Sequence, residues 1–303
     1  GAVQSAEFSP DGRWLVTACA DRRVRVWDAS SGRLRQSMEA DDILQVIRFR
    51  PDGHWIAGGG DSGKLHLWQL SDGARIETPQ RHGARIRALE FSPDGRWMAT
   101  AGLDETARLW NARTGEPVGK ALRPALTLAR PELAEGFSPA QRLRCVAFSR
   151  DSRLLAAGGA GAVVQVWNVP DGTPTSPPIG APETYWIGFS WNGKQVITAG
   201  GNIHTGGEAR IWHVANGQAV GPPLRHGHLI RSADLSPDGR WLLTASHDHT
   251  SKLWDLHQSE WTVSSPAMLH GDRVWQATFN PADPTRWMTS GRDGCWQVWQ
   301  WMP

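Results

Sequence analysis

The stretch Phe91–Trp110, FSPDGRWMATAGLDETARLW, holds a turn, an apolar strand, a second turn and a strand closed by tryptophan. Its Ser-Pro-Asp-Gly puts proline and glycine where a tight hairpin needs a preset or positive φ. Six further copies surround it. Upstream lie FSPDGRWLVTACADRRVRVW (Phe8–Trp27) and FRPDGHWIAGGGDSGKLHLW (Phe49–Trp68). Downstream lie FSRDSRLLAAGGAGAVVQVW (Phe148–Trp167) and FSWNGKQVITAGGNIHTGGEARIW (Phe189–Trp212). LSPDGRWLLTASHDHTSKLW (Leu235–Trp254) and FNPADPTRWMTSGRDGCWQVW (Phe279–Trp299) complete the set. The lead positions are spaced by 41, 42, 57, 41, 46 and 44 residues.

Within a copy, segments such as RWLVTA and RVRVW are short, β-branched or aromatic, and bounded by Gly and Asp, as strands are. Another alternating segment precedes each phrase (IRALEF, Ile86–Phe91), and a turn such as Ala29–Gly32 follows each tryptophan. Each unit therefore has four strands, a to d in chain order. Only PELAEGF (Pro131–Phe137) reads as a helix. A repeat of about 40–45 residues ending in tryptophan is the period of a propeller blade. One four-stranded sheet cannot bury both its faces, whereas seven packed radially can.

The expected fold is all-β, a seven-bladed β-propeller of four-stranded antiparallel blades spanning 1–303 as one unit. The expected blades are about 1–40, 41–81, 82–124, 141–181, 182–225, 226–269 and 270–303, with an insertion at about 123–140. The last copy ends soon after strand c, so its outer strand d is expected to be missing and strand c near Cys295–Trp301 to present an open edge. A chain cut from a longer polypeptide and a naturally three-stranded last blade both account for this.

Bulk properties narrow the function classes. The 303 residues are 40% hydrophobic and 20% charged, without an apolar run of membrane-spanning length or a leader segment. Cys19, Cys145 and Cys295 form neither a disulfide framework nor a metal-ligand pattern, so a reducing, cytoplasmic location is expected. A net charge of +2 argues against nucleic acid as a partner. Nearly all cations are arginine, since Lys64, Lys120, Lys194 and Lys252 are the only lysines. An arginine-rich genome and deliberate placement for bidentate contacts both explain that bias.

These phrases resemble the WD-repeat β-propellers. That family pairs a His before strand a, a Ser or Thr in strand b, an Asp in the b–c turn and the strand-c Trp. Three complete matches are His82, Thr100, Asp104, Trp110; His226, Thr244, Asp248, Trp254; and His270, Thr289, Asp293, Trp299. Thr17, Asp21 and Trp27 match in the first copy; the second keeps Asp61 and Trp68, with Ala40 and Ala57 at the other places. The fifth keeps Thr198 and Trp212, with Asn202 at the Asp position, and the fourth retains Trp167 alone. In a complete set the indole donates to the hydroxyl, the hydroxyl to His and His to Asp, so every buried polar group is satisfied. A Thr-His-Asp set also has the makeup of a nucleophilic triad, but three repeats tied to indoles read as architecture. The wording FSPDGRWLLTAS with TARLWN is similar to bacterial WD-repeat regions of larger signalling, kinase or nucleotide-switch proteins.

The resemblance implies a channel lined by strands a, with d–a connections and b–c turns sharing the top face, where family members bind peptides. The residue after the first apolar position of strand a is Gln4, Gln45, Arg87, Arg144, Tyr185, Arg231 and Trp275 in turn. The residue before that position adds Arg85, Arg142 and Arg273, with Glu183 the one acid, and the b–c turns add His247 and Arg292. Guanidinium groups beside aromatic faces suit carboxylate or phosphate recognition. The expected function is a non-catalytic docking or sensing scaffold within a larger regulatory protein. The expected partners are a protein or peptide, acidic or phosphorylated, docked on blades 3, 4, 6 and 7, and other domains of the same polypeptide, with no membrane involved. An enzyme working at the mouth and a purely structural or oligomerising propeller are the competing classes. Leu126, Leu128, Leu133 and Phe137 of the insertion could pack on the rim or on a partner.

Other signals fail. GGGDSGK (Gly58–Lys64) fits G-x-x-x-x-G-K, but Leu65 replaces the magnesium-binding hydroxyl and a strand follows where a helix should begin. His226, His228, His247 and His249 lack the Cys or carboxylate partners of a metal shell. No metal or cofactor is expected. Trp14, Trp55, Trp97, Trp241 and Trp287 read as in-phase packing residues between blades, while Trp186, Trp191 and Trp261 fall out of phase.

Overall fold

The computed structural model describes residues 1–78, 81–125, 142–161, 163–257, 267–280 and 283–300. Every regular element among them is a β-strand. Blade 1 is β1 (Val3–Phe8), β2 (Trp14–Cys19), β3 (Arg23–Asp28) and β4 (Leu34–Glu39); blade 2 is β5 (Leu44–Phe49), β6 (Trp55–Gly60), β7 (Leu65–Gln69) and β8 (Arg75–Ile76). Blade 3 is β9 (Ile86–Phe91), β10 (Trp97–Gly102), β11 (Ala107–Asn111) and β12 (Pro117–Leu122); blade 4 is β13 (Leu143–Phe148), β14 (Leu154–Gly159) and β15 (Gln165–Asn168). Blade 5 is β16 (Thr184–Phe189), β17 (Gln195–Asn202), β18 (Gly206–His213) and β19 (Ala219–His226). Blade 6 is β20 (Ile230–Leu235), β21 (Trp241–Ser246), β22 (Thr250–Asp255) and β23 (Met268–Leu269); blade 7 is β24 (Val274–Asn280), β25 (Asp283–Gly291) and β26 (Trp296–Gln300). Each blade is an antiparallel meander in chain order.

The a–b turns fold as their residues dictate. Gly95 takes φ +69° in blade 3, and the Ser92 hydroxyl accepts from Trp97 N–H while donating to Asp94. Blade 4 has Ser152 at the same place and holds it at φ +62°, where an L residue is strained. That blade also departs from the expected four strands: beside β15 only the isolated bridges Trp167–Pro174 and Val164–Ile179 form. Pro174, Pro177 and Pro178 remove the N–H donors that a continuous outer strand needs. Blade 7 has three strands among the described residues, as expected. The helix expected at Pro131–Phe137 and the four apolar residues of the insertion lie outside the described residues.

The core lies between blades. Ala57, Leu65 and Leu67 of blade 2 pack on Ile86, Leu89 and Phe91 of blade 3, and like clusters fill the other junctions from blade 1 to blade 7. Trp14, Trp55, Trp97 and Trp241 pack half-buried against these clusters. Trp287 does not share their phase. Trp14, Trp97 and Trp241 lie opposite the residue after the strand-c tryptophan, whereas Trp287 lies opposite Trp299 itself. A one-residue offset in a strand turns the side chain to the other face, and Trp287 is buried, its indole donating to Met268 Sδ at 3.2 Å. Trp186 joins the blade 5–6 cluster, Trp191 is exposed beneath the Arg150 guanidinium, and Trp261 lies outside the described residues. The junction between blade 7 and blade 1 differs from the other six: Val3 and Phe8 on one side and Met288, Trp296 and Val298 on the other are exposed.

Candidate functional site

All seven inner strands carry a β-bulge at the same place. β9 pairs Ile86 with Gly102 and Ala88 with Ala101, which leaves Arg87 unpaired. The same skip falls at Gln4, Gln45, Arg144, Tyr185, Arg231 and Trp275. A bulge inserts one residue without a partner and re-aims its side chain. The extra residue of each bulge is the one the sequence pattern assigned to the mouth.

Five of these residues line one channel cavity of about 610 Å³: Gln45, Arg87, Arg144, Tyr185 and Arg231. The Arg144 and Arg231 guanidinium carbons lie 4.9 Å and 5.7 Å from the centre of the Tyr185 ring. Arg87 Nη1 donates to Gln45 Oε1 at 3.0 Å. Arg144 pairs with Glu183, and Tyr185 Oη donates to the same carboxylate oxygen at 3.2 Å. Desolvation, and then the charges of Arg231, Arg85 and Arg144, lower the Arg87 pKa. Desolvation lowers that of Arg231 as well, although the residue keeps an exposed surface. Three guanidinium groups thus share one cavity, which Arg48 and the carboxyls of Glu7 and Glu90 also line. Such a like-charge cluster stores repulsion that an anion relieves.

The remaining rim residues are not part of this cluster. Arg85 is paired with Asp61 at 2.8 Å, and Arg292 lies 4.0 Å from Asp272. The sequence pattern assigned Asp61 to a tetrad rather than to Arg85, and it gave no partner to Arg292. Arg142, Arg273 and Trp275 are exposed outside the cavity. His247 stacks obliquely 5.6 Å from His228, and desolvation followed by the field of Arg273 lowers its pKa to about 4.

The tetrads are architectural, as the sequence suggests, but two complete ones are found instead of three. In blade 3 the Trp110 indole donates to Thr100 Oγ1 at 2.8 Å, His82 Nε2 lies 2.7 Å from that oxygen, and His82 Nδ1 lies 3.0 Å from Asp104. Blade 6 repeats this with Trp254, Thr244, His226 and Asp248 at 2.8–2.9 Å. Burial opposes the charge of Asp104, yet bonds from His82 and Gly83 N–H outweigh it and hold the carboxyl below its usual range. In blade 7 the Trp299–Thr289–His270 links form, but His270 Nδ1 stands 3.7 Å from Asp293, beyond hydrogen-bond range. Blades 3 and 6 brace Asp with the hydroxyls of Thr106 and Thr250, and Cys295 occupies that place in blade 7.

The partial copies also diverge. Trp27 and Trp212 donate to Thr17 and Thr198. Asp61 is committed to Arg85, and Asp42 instead accepts from Ser62. Asn202 accepts from His204 and Thr205 N–H within its own turn, so it is no tetrad member.

A set of staples between blades was not anticipated. Glu7 accepts from Phe49 N–H, Asp234 from Phe279 N–H and Glu90 from Phe148 N–H. The visible signal was an acid directly before the lead residue: Glu-Phe, Glu-Phe and Asp-Leu. No group of three or more His, Cys, Asp or Glu is arranged to hold a metal among the described residues.

The repeat phrase, the meandering blades and the tetrads define a WD-type propeller, and comparison with known proteins agrees. The WD domain, G-beta repeat family matches residues 1–28, 33–69, 73–111, 136–168 and 221–255, and the chain belongs to it. It is 27% identical over 173 residues to Protein tipD of Dictyostelium discoideum, covering 50% of this chain and 27% of that protein. It is 32% identical over 114 residues to Apoptotic protease-activating factor 1 of Homo sapiens, covering 35% of this chain and 9% of that protein. It is 23% identical over 166 residues to Transducin beta-like protein 3 of Rattus norvegicus, covering 51% of this chain and 20% of that protein. The chain therefore spans 27% or less of the length of each of these relatives. All three are eukaryotic, so they lend no support to the bacterial resemblance. WD repeats point to a protein-interaction scaffold, and the family is generally non-catalytic.

Proposed function

We propose that this propeller is a cytoplasmic docking module of a larger regulatory polypeptide and that it binds an acidic or phosphorylated segment at the channel mouth. The observation that supports this reading is the gathering of Arg87, Arg144 and Arg231 in one cavity, the last two against the Tyr185 ring, with Arg48 and the carboxyls of Glu7 and Glu90 also lining it. Arginine forks bind carboxylate and phosphate bidentately, and the tyrosine face gives an extended chain a flat surface to lie on.

The test is a fluorescence-anisotropy titration of a labelled hexaglutamate peptide and of a matched phosphoserine peptide against the chain. Binding is expected to weaken at least tenfold in the Arg87→Glu, Arg231→Glu double variant, and to weaken as salt rises. Affinity unchanged by the double variant would overturn the reading.

A further inference from the structure

Charge is laid out at two levels along the inner strands. The bulge positions hold Arg87, Arg144 and Arg231 and no acid; Glu183, paired with Arg144, stands two residues before Tyr185. Three residues further along each strand, a distance of about 10 Å, the balance reverses. Glu7, Glu90 and Asp234 occupy these positions, with Arg48 the one base. Glu7, Arg48 and Glu90 line the same cavity as the three mouth arginines, and Ala88, Val146, Ala147 and Ile187 add apolar wall to it.

The acids of the second level are not equally occupied. Asp234 accepts from the Phe279 N–H at 2.8 Å and from the Thr278 hydroxyl at 3.0 Å. Glu7 accepts from the Phe49 N–H and has the Arg48 guanidinium 3.5 Å away. Glu90 accepts from the Phe148 N–H and has no ion pair among the described residues. A carboxylate offers about four acceptor sites, so most of its capacity is unused. Burial raises all three carboxyls, that of Glu90 to about 8. A cation alongside would oppose that shift. Blade 5 has Gly188 at this level, and a side chain there would collide with the Trp186 indole, which lies across the glycine on the cavity wall. An aromatic ring and an unpaired carboxyl in one cavity suit a cation.

We infer that the segment bound at the mouth carries a lysine or arginine beside its acidic group, and that this basic side chain runs along the channel to Glu90 and Trp186. The inference rests on the mouth's binding of an acidic segment and specifies what else that segment contains. The stem of lysine or arginine spans about 6–7 Å and its hydrogen bond about 3 Å more, which matches the separation of the two levels. The methylenes lie along the apolar wall while the charged head reaches the carboxyl. A purely acidic segment would leave Glu90 without a cation, and a purely basic one would meet the arginines first. The charge order of the channel therefore selects a segment of mixed sign.

The experiment is an anisotropy titration of labelled hexaglutamate peptides in which one residue at a time is replaced by lysine, by arginine or by norleucine. Norleucine keeps the stem and lacks the charge. At the best position the basic peptide is expected to bind the wild-type chain about tenfold more tightly than its norleucine counterpart, as a charged hydrogen bond provides. Glu90→Gln is expected to abolish that advantage and to leave the norleucine peptide's affinity unchanged. The substitution keeps an acceptor for the Phe148 N–H, and circular dichroism checks its fold; the norleucine comparison on the wild-type chain needs no variant at all. The Arg87→Glu, Arg231→Glu double variant is expected to weaken all of the peptides. Norleucine peptides that bind through the arginines, with no basic side chain improving on them at any position, would overturn this inference and leave the acidic mouth standing. An advantage that persists in folded Glu90→Gln would do the same. If none of the acidic peptides binds, both readings fall.

Discussion

Thr100 receives the Trp110 indole and faces His82 at 2.7 Å, so one hydroxyl satisfies two buried groups. Replacing it by valine keeps the shape and orphans both partners. Orphaned buried donors cost about 1–3 kcal/mol, so Thr100→Val is expected to lose about 2 kcal/mol in guanidinium denaturation. Cys295→Thr is expected to move the other way by roughly 0.5–1 kcal/mol, because a hydroxyl there can brace Asp293 toward His270 as Thr106 braces Asp104. The tetrads were legible as residue sets, and two of three closed as read. The third failed at a link that depends on a neighbour two places along, which the four-residue pattern does not include. Asp61 shows the same limit: its spacing matches the tetrad, but Arg85 at 2.8 Å is the partner that claims it.

At the scale of strands and turns, alternation and Asp-Gly punctuation made nearly every strand visible in the sequence. What escaped was register. Phe279 pairs with the residue eight places on, whereas Phe91 pairs with the residue seven places on, so Trp287 falls on the opposite face although it still reads Arg-Trp. The outer strand of blade 4 was lost to three prolines that a period count ignores. The staples are a product of strand adjacency, which no single copy reveals. Glu90 is the most informative of them, for burial pushes its carboxyl up to about 8 while the Phe148 N–H pulls the other way. Between pH 4.5 and 8 the unfolded chain loses this proton and the folded chain keeps it, so stability falls as pH rises through that window. Glu90→Gln retains an acceptor for Phe148 and has no proton to lose. It is expected to gain about 2 kcal/mol over wild type at pH 8 and nothing at pH 4, as read by urea melts at the two pH values.

At the scale of the whole molecule, four histidines act in the opposite direction. His66 is fully buried, stacked 5.4 Å from Trp68, and neither of its ring nitrogens has a hydrogen-bond partner. Desolvation, then the charge of Arg75, lowers its pKa to about 4. His226, His247 and His270 are lowered too, each chiefly by desolvation. As pH falls below about 6.5 the unfolded chain takes up protons that the folded chain refuses, so stability declines toward pH 4. His66→Phe keeps the stack on Trp68 and removes the proton acceptor. The variant is expected to flatten the melting temperature between pH 7 and pH 5, with about 2 kcal/mol gained at the lower value. A slope equal to that of wild type would show that His66 does not carry this dependence.

The seven bulges set the residues proposed for the mouth apart from those that hold the propeller up. The residues at these places have no partner opposite them in the strand ladder, so their identity is not tied to hydrogen bonding between strands. Glutamine, arginine, tyrosine and tryptophan already occupy equivalent places on an unchanged backbone. Gln4, Gln45, Arg87, Arg144, Tyr185, Arg231 and Trp275 therefore behave as a dial with seven letters: the taste of the mouth can drift, in evolution or in a randomised library, while the scaffold beneath is inherited intact.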